Sequence, residues 1–260
     1  MMHKTETRGV ALVTGGRRGI GKGICLALAE AGWDVAVNDI EHDELMQATL
    51  DEISAKGVRA IGVTGDISLR EERERIVSTA NTTFGAVTCL VNNAGISVKV
   101  RGDILNVTEE SYDHVMSVNL KANFFLTQLV ARQMLDSGQQ TQGRCIINIS
   151  SSNSVLASPE RAEYCLSKTG ISMATKMFAI RLAAAGVNVY EIRPGVIESD
   201  MTQVVRAKYD ERIANGLTPI ARIGRPDDVG KAVAAIAKGM FPFSTGEHFN
   251  IDGGLHIHQL

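Results

Sequence analysis

Short apolar runs alternate along the chain with stretches whose apolar residues recur at helical spacing. Val10-Ala11-Leu12-Val13 is the first run and stops at Thr14-Gly15-Gly16-Arg17-Arg18-Gly19-Ile20-Gly21. Ile20, Ile24, Leu26, Leu28 and Ala31 then repeat on one helix face, and Gly32 ends the repeat. Val35-Ala36-Val37 follows and ends on Asn38-Asp39. Strand, glycine turn, helix and strand make a βαβ unit with Asp39 at the tip of its second strand.

The alternation continues. The pattern predicts helices over about 43–56 and 69–84, and strands over 58–64 and 87–91. The first of these strands leads into Gly65-Asp66-Ile67 and the second into Asn92-Asn93-Ala94-Gly95. A long helical pattern covers 111–136, with Asn119 inside it, and Ser137 to Gly143 is a polar connector. Cys145 to Ile149 is a strand ending at Ser150-Ser151-Ser152. A helix carrying Tyr164 and Lys168 runs to about Ala185, where Gly186 closes it. Val187 to Ile192 is a strand ending at Arg193-Pro194-Gly195. Residues 200–215 are polar and amphipathic and read as a mobile flap. A helix over 226–237 and a strand over 248–251 precede Asp252-Gly253-Gly254. No repeat or linker interrupts the series. The expected fold is α/β: a single Rossmann-type, doubly wound parallel sheet of about seven strands, with helices on both faces, over residues 1–260.

Hydrophobic residues make up 44% of the 260 and aromatics 5%, so the core is built from Val, Ile, Leu and Ala. A net charge of −2 without a basic stripe argues against nucleic acid. The four cysteines form no CxxC pair and read as free thiols in a reducing compartment. Met1 to Arg8 lacks the apolar centre of a signal peptide, and no apolar run of about 18 residues exists. The expectation is a cytoplasmic protein that meets neither membrane nor nucleic acid and acts on a small molecule. His248, His256 and His258 have only Asp252 nearby, so no metal is expected.

The glycine turn points to nucleotide binding. Gly15 permits a tight turn. Gly19 and Gly21 let backbone approach a ligand, and the following helix offers free N–H groups to a pyrophosphate. Its spacing is G-x3-G-x-G. Asp39 can accept hydrogen bonds from both adenosine-ribose hydroxyls and would repel a 2′-phosphate, which argues for NAD over NADP. Arg17 and Arg18 pull the other way, or are loop residues. Asp66 either meets an adenine edge or caps a helix. Asn119, an amide inside an apolar helix, needs a kink, a packing bond or a water. Tyr164 and Lys168 share a helix face. A fixed ammonium beside a phenol favours the phenolate, although bringing a tyrosine to neutrality takes about 4 kcal/mol.

Thr14-Gly15-x3-Gly19-Ile20-Gly21, Asn92 to Gly95, Asn119, Ser151, Tyr164-x3-Lys168, Pro194-Gly195 and Asp252-Gly253-Gly254 together resemble the short-chain dehydrogenase/reductase family, over nearly the whole chain. The resemblance implies an alcohol/ketone oxidoreductase. Tyr164 would be its general acid or base, with Lys168 lowering the pKa of Tyr164 and holding the nicotinamide ribose. Ser151 would bond the substrate oxygen, with Ser150 and Ser152 as neighbouring alternatives. Asn119 would hold a water that links Lys168 to solvent. Arg18, Ile20, Ile67, Asn93, Ala94 and Gly95 fall in the cofactor segments. Pro194, Gly195 and Ile197 would frame the nicotinamide, and Ser199 stands where threonine is common. A homotetramer is implied as well. The nearest-looking subgroup is the 3-oxoacyl-acyl-carrier-protein reductases. Asp39 counts against that subgroup, as does the lack of any basic residue over Gln133 to Gly143, although Arg132 and Arg144 flank that stretch. The expected substrate is therefore a sugar, polyol or small hydroxy acid, with Asn153, Glu160, Arg161 and Glu163 as candidate contacts. The carrier-protein reductase is the alternative, and a nucleotide-sensing protein the remote one.

Overall fold

The computed structural model describes residues 8–136, 144–199, 202 and 206–257. Seven parallel strands make one sheet: β1 (Val10–Thr14), β2 (Asp34–Asp39), β3 (Ala60–Thr64), β4 (Cys89–Asn92), β5 (Cys145–Ile149), β6 (Asn188–Pro194) and β7 (His248–Ile251). Their order is β3-β2-β1-β4-β5-β6-β7. The chain steps outward from β1 to β3, then returns to lay β4 against β1. A crevice opens at that reversal, beyond the carboxyl ends of the strands.

Both sheet faces are covered because the central strands are apolar at successive positions. Ala11 and Val13 of β1 face one way, where α1 (Gly19–Glu30), α2 (Glu44–Ser54) and α8 (Pro226–Ala237) pack on them. Val10 and Leu12 face the other way, towards α3 (Arg70–Phe84), α5 (Ala122–Asp136) and α6 (Ala162–Leu182). Of two further helices, α4 (Glu109–Met116) packs against α6 and α7 (Arg206–Ala214) turns Lys208, Tyr209 and Arg212 to the crevice. Gly23 and Gly230 bring α1 and α8 close: a Cβ on Gly230 would stand 2.4 Å from the Gly23 carbonyl oxygen.

The expected helix over 111–136 is not uniform. It divides into α4 and α5 around a π-helical segment, Ser117–Lys121, that holds Asn119. A π turn widens the helix by one residue, and here it lets the Asn119 amide reach sideways to the loop after β4. The helix expected to end near Ala185 gives way at Leu182 to a 3-10 turn, Ala183–Ala185. Gly186 then closes it in the left-handed region at φ 69°. Of the expected flap, Arg206 to Ala214 is helix α7. Residues 200, 201 and 203–205, the connector at 137–143 and His258 lie outside the described residues. Among the described residues, no helix is long and apolar enough to cross a membrane.

Candidate active site

The crevice holds a cavity of about 500 Å³. Gly15, Arg18, Gly19, Ile20 and Gly21 line one side, with Asn93, Ala94 and Gly95 beside them. Opposite stand Ser151, Tyr164 and Lys168, and Pro194, Gly195, Ile197 and Ser199 complete the wall. Most of the residues singled out in the sequence thus meet at one place. Of the residues assigned to catalysis or the cofactor, four do not line it: Asp39, Asp66 and Ile67, which lie towards the β3 edge, and Asn119, behind the wall.

The glycine turn is held from β4. The Asn93 side-chain amide donates to the carbonyls of Thr14 (2.9 Å) and Gly15 (3.0 Å). Thr14 Oγ1 accepts the backbone N–H groups of Asn93 and Ala94. Gly15 has φ 62°, in the left-handed region that glycine tolerates best, and a Cβ on Gly21 would stand 2.0 Å from the Gly15 carbonyl oxygen. No side chain caps the start of α1 and its first turn has no acid. Its N–H groups and positive dipole end therefore face the cavity, which suits a dinucleotide pyrophosphate.

Arg17 lies in the β1–α1 loop but is not a solvated loop residue. It is buried and ion-paired with Asp39 (3.8 Å), Glu41 (2.5 Å) and Asp43, and Thr49 Oγ1 donates to its carbonyl. Three carboxylates against one guanidinium leave the tip of β2 negative. Arg18 is exposed and lines the cavity. Asp66 accepts from the N–H of Ser68 at the entry to α3, but the residue before that helix is Leu69, so Asp66 shapes a turn rather than capping the helix. Ile67 is buried in the core.

Among the three serines, geometry selects the middle one. Ser151 hydrogen-bonds Tyr164 and accepts from the N–H of Asn153 (3.1 Å). Ser150 donates to Glu191 and to the Ile192 carbonyl, and Ser152 is buried at a 3-10 turn. Lys168 Nζ donates to the Ile149 carbonyl at 3.1 Å and stands 5.6 Å from the Tyr164 ring centroid. Asn119 is saturated: it accepts from Ile96 N–H and donates to the Ile96 carbonyl and to Ser167 Oγ. Its side chain clamps a loop and is not open to a relay water.

A family model for short chain dehydrogenases matches residues 9–210. The chain belongs to the short-chain dehydrogenase family. Among curated relatives, a 3-oxoacyl-[acyl-carrier-protein] reductase of Staphylococcus aureus is 36% identical over 248 residues, 95% of this chain and 98% of that protein. One from Synechocystis is 37% identical over 250 residues, covering 96% and 97%. The crystal structure of a 3-oxoacyl-[acyl-carrier protein] reductase from Brucella melitensis in complex with NAD superimposes with a TM-score of 0.94 at 45% identity, covering 97% of this chain and 99% of that one. This short-chain dehydrogenase is accordingly an oxidoreductase that uses a nicotinamide cofactor.

Electrostatics in the dehydrogenase depart from the expected division of labour. Burial pushes the Tyr164 phenol above its ordinary pKa, and the Ser151 hydrogen bond and the positive charge of Arg161 draw it part of the way back. The Lys168 ammonium donates to the Ile149 carbonyl at the end of β5 and stands beside the Tyr164 ring. Burial takes Lys168 itself down to about 8, against a weaker opposing pull from Glu191. Glu191 is buried with Arg193, Ser150 and Ser172, a polar cluster that the sequence did not disclose.

The cavity also gathers Arg101, Arg161, Lys208 and Arg212. Only Arg161 was singled out from sequence, as one of several polar neighbours, because the others lie in a loop and in α7, far along the chain. Asn153 and Glu160 line the cavity as expected, but Glu163 is buried beneath it and accepts from Ser111 Oγ at 2.6 Å. Arg144 is no entrance residue either: it is buried and donates to the carbonyls of Met134 and Ala185. His256 is bonded to Asp252 at 2.8 Å, which accounts for its place beside the Asp-Gly-Gly turn.

The Lys168 shift has a measurable sign. Between about 8 and the ordinary lysine value of about 10.4, the unfolded chain holds a proton on Lys168 that the folded chain releases. Stability contributed by this group therefore rises with pH across that window. Urea midpoints of wild type and Lys168→Met at pH 7 and 9.5 should show wild type gaining relative to the variant by about 1–3 kcal/mol. No relative gain would mean that Lys168 titrates as an exposed lysine.

Proposed function

We propose that this enzyme interconverts 3-oxoacyl and 3-hydroxyacyl thioesters carried on a phosphate-bearing arm, with NAD as its cofactor. The observation that carries the proposal is the cavity's cationic rim. Arg101, Lys208 and Arg212 are exposed there, and among the described residues none has a carboxylate within ion-pair distance. Uncompensated cations around a low-dielectric cleft attract anionic ligands. A phosphopantetheine or coenzyme A arm is such a ligand, whereas a sugar or polyol has no use for the rim. The names of the relatives support the thioester. The scarcity of basic residues over 133–143 loses its force, because the cations come from other elements.

The carboxylates around Arg17 support NAD. Asp39 Oδ1 accepts from Ile40 N–H at 2.9 Å, and its carboxylate remains partly exposed at the tip of β2. A 2′-phosphate there would meet Asp39, Glu41 and Asp43. The Brucella relative's complex with NAD is in keeping with this. The Gly15–Gly21 turn, with Asn93 to Gly95, Pro194, Gly195, Ile197 and Ser199 around it, would hold the cofactor, which would supply or accept the hydride.

The chain's own residues handle the proton and the alignment. Tyr164 gives its phenolic proton to the carbonyl oxygen in reduction and takes it back in oxidation. Ser151, already bonded to Tyr164, donates to the same substrate oxygen and fixes its position. Lys168, poised near neutrality, holds the proton that replenishes Tyr164, with Glu191 as the carboxylate behind it. The exposed apolar residues Phe125 of α5 and Leu166, Met173, Met177 and Ile180 of α6 support assembly into a homotetramer. The unpaired cysteines support a cytoplasmic setting.

Three measurements test this reading. Tyr164→Phe should lower kcat at least about a hundredfold while NADH binding, followed by fluorescence titration, stays within twofold. Unchanged turnover would remove Tyr164 from proton transfer. Asp39→Ala should shift the NAD-to-NADP ratio of kcat/KM towards NADP at least about tenfold, and an unshifted ratio would count against the β2 tip as the selector. Charge reversal at Lys208 and Arg212 together should raise KM for acetoacetyl-coenzyme A at least about tenfold more than for the neutral acetoacetyl-N-acetylcysteamine thioester. Equal effects on both would remove the rim from substrate recognition.

A further inference from the structure

Arg161 differs from the rim cations. It is half-buried inside the cavity, one helical turn before Tyr164, with its guanidinium 5.3 Å from the Tyr164 ring centroid. Its protein partners are neutral: Nη2 donates to Asn153 Oδ1 at 2.8 Å and Nε to Ser158 Oγ at 3.4 Å. Among the described residues, no carboxylate lies within ion-pair distance, and Nη1 has no acceptor. Glu160 is the acidic residue of the lining, and Glu163 is turned away to Ser111. Of five guanidinium hydrogens, two are engaged. Those left are the pair on Nη1 and one on Nη2, the side of the fork that takes a carboxylate with two parallel bonds.

The side chain is also held in register with the reacting groups. Asn153, which accepts from Arg161, donates its own N–H to Ser151 Oγ and its amide to the Leu156 carbonyl. Ser151 bonds Tyr164. A rigid array therefore spaces an unpaired guanidinium from the oxygen site at Ser151 and Tyr164. A neutral thioester carbonyl gives such a group one bond and no countercharge. A carboxylate gives two bonds and neutralises it.

We propose that Arg161 is a carboxylate receptor, and that the same centre oxidises free short 3-hydroxy acids to 3-oxo acids in addition to its thioester reaction. In that step the C3–H bond breaks and its hydrogen leaves with both electrons to oxidised nicotinamide. The hydroxyl proton passes to Tyr164 and on to solvent, and C3 becomes the carbonyl. The carboxylate on Arg161 is untouched by the chemistry and sets the chain's direction in the cavity. This inference rests on the alcohol/ketone reading of the Tyr164 centre and not on the thioester.

The test combines binding with turnover. Calorimetric titration of the enzyme with oxidised NAD present should show butyrate, which has the carboxylate but no reacting hydroxyl, binding at least tenfold more tightly than butyramide. Arg161→Leu should remove that difference, and Arg161→Lys, which keeps the charge but loses the fork, should retain part of it. In turnover, Arg161→Leu should lower the ratio of kcat/KM for 3-hydroxybutyrate to that for 3-hydroxybutyryl-N-acetylcysteamine at least tenfold. Butyrate binding no better than butyramide in wild type, or an unchanged ratio in Arg161→Leu, would overturn the proposal. A wild type that turns over 3-hydroxybutyrate and no thioester would overturn the thioester reading and leave this one standing.

Discussion

The amide of Asn93 joins the two strands between which the crevice opens. Its two donated hydrogen bonds tie the end of β4 to the carbonyls of Thr14 and Gly15 at the end of β1. Those carbonyls point out of a turn that β1 itself does not satisfy, and buried unpaired carbonyls are costly. With Asn93 in place the turn can stay tight, Gly21 can sit against Gly15, and α1 can present an uncapped start to the cavity. The opposite wall is positioned from the same junction. Ala94 and Gly95 lead to Ile96, whose backbone is clamped by Asn119, which in turn donates to Ser167 on the helix of Tyr164 and Lys168.

Charge is distributed along the cavity in opposite senses. At the β2 tip, acid exceeds base around Arg17. At the substrate end, Arg101, Arg161, Lys208 and Arg212 face Glu160. Between them lie a phenol raised by burial and an ammonium lowered by it, so the two pKa values move apart: the phenol holds its proton more firmly and the ammonium gives its proton up more readily. That order favours passage of a proton from the Lys168 ammonium to a Tyr164 phenolate over the reverse.

Much of this was legible from local chemistry. β5, β7 and α8 fall at the expected residues, because apolar runs and helical repeats bounded by Gly and Pro are strong local signals. Tyr164 and Lys168 were legible from a four-residue spacing only together with the ordered motifs around them, and the glycine turn from its φ requirement. Asn119 was visible as an anomaly, but not its solution, since the Ile96 backbone that it clamps arrives from a different segment. Arg17 shows the same limit. Its sequence position suggested a phosphate contact, yet Asp39, Glu41 and Asp43 fold back on it.

The sequence by itself determined the sheet, its helices and the turn, since each rests on residues within a few positions of one another, and the ordered motifs along the chain pointed to Tyr164 and Lys168 as the pair proposed for proton transfer. Tertiary structure decided what those groups experience. Desolvation of Lys168 depends on β5, β6 and α6 closing around it. The pKa of Tyr164 is set first by burial and then by Ser151 and Arg161, which reach it from other turns of the chain. The cationic rim exists because Arg101 and α7 converge on the cavity mouth from separate parts of the chain. Burial and long-range Coulomb interactions depend on distances in space, and no spacing along the chain encodes them.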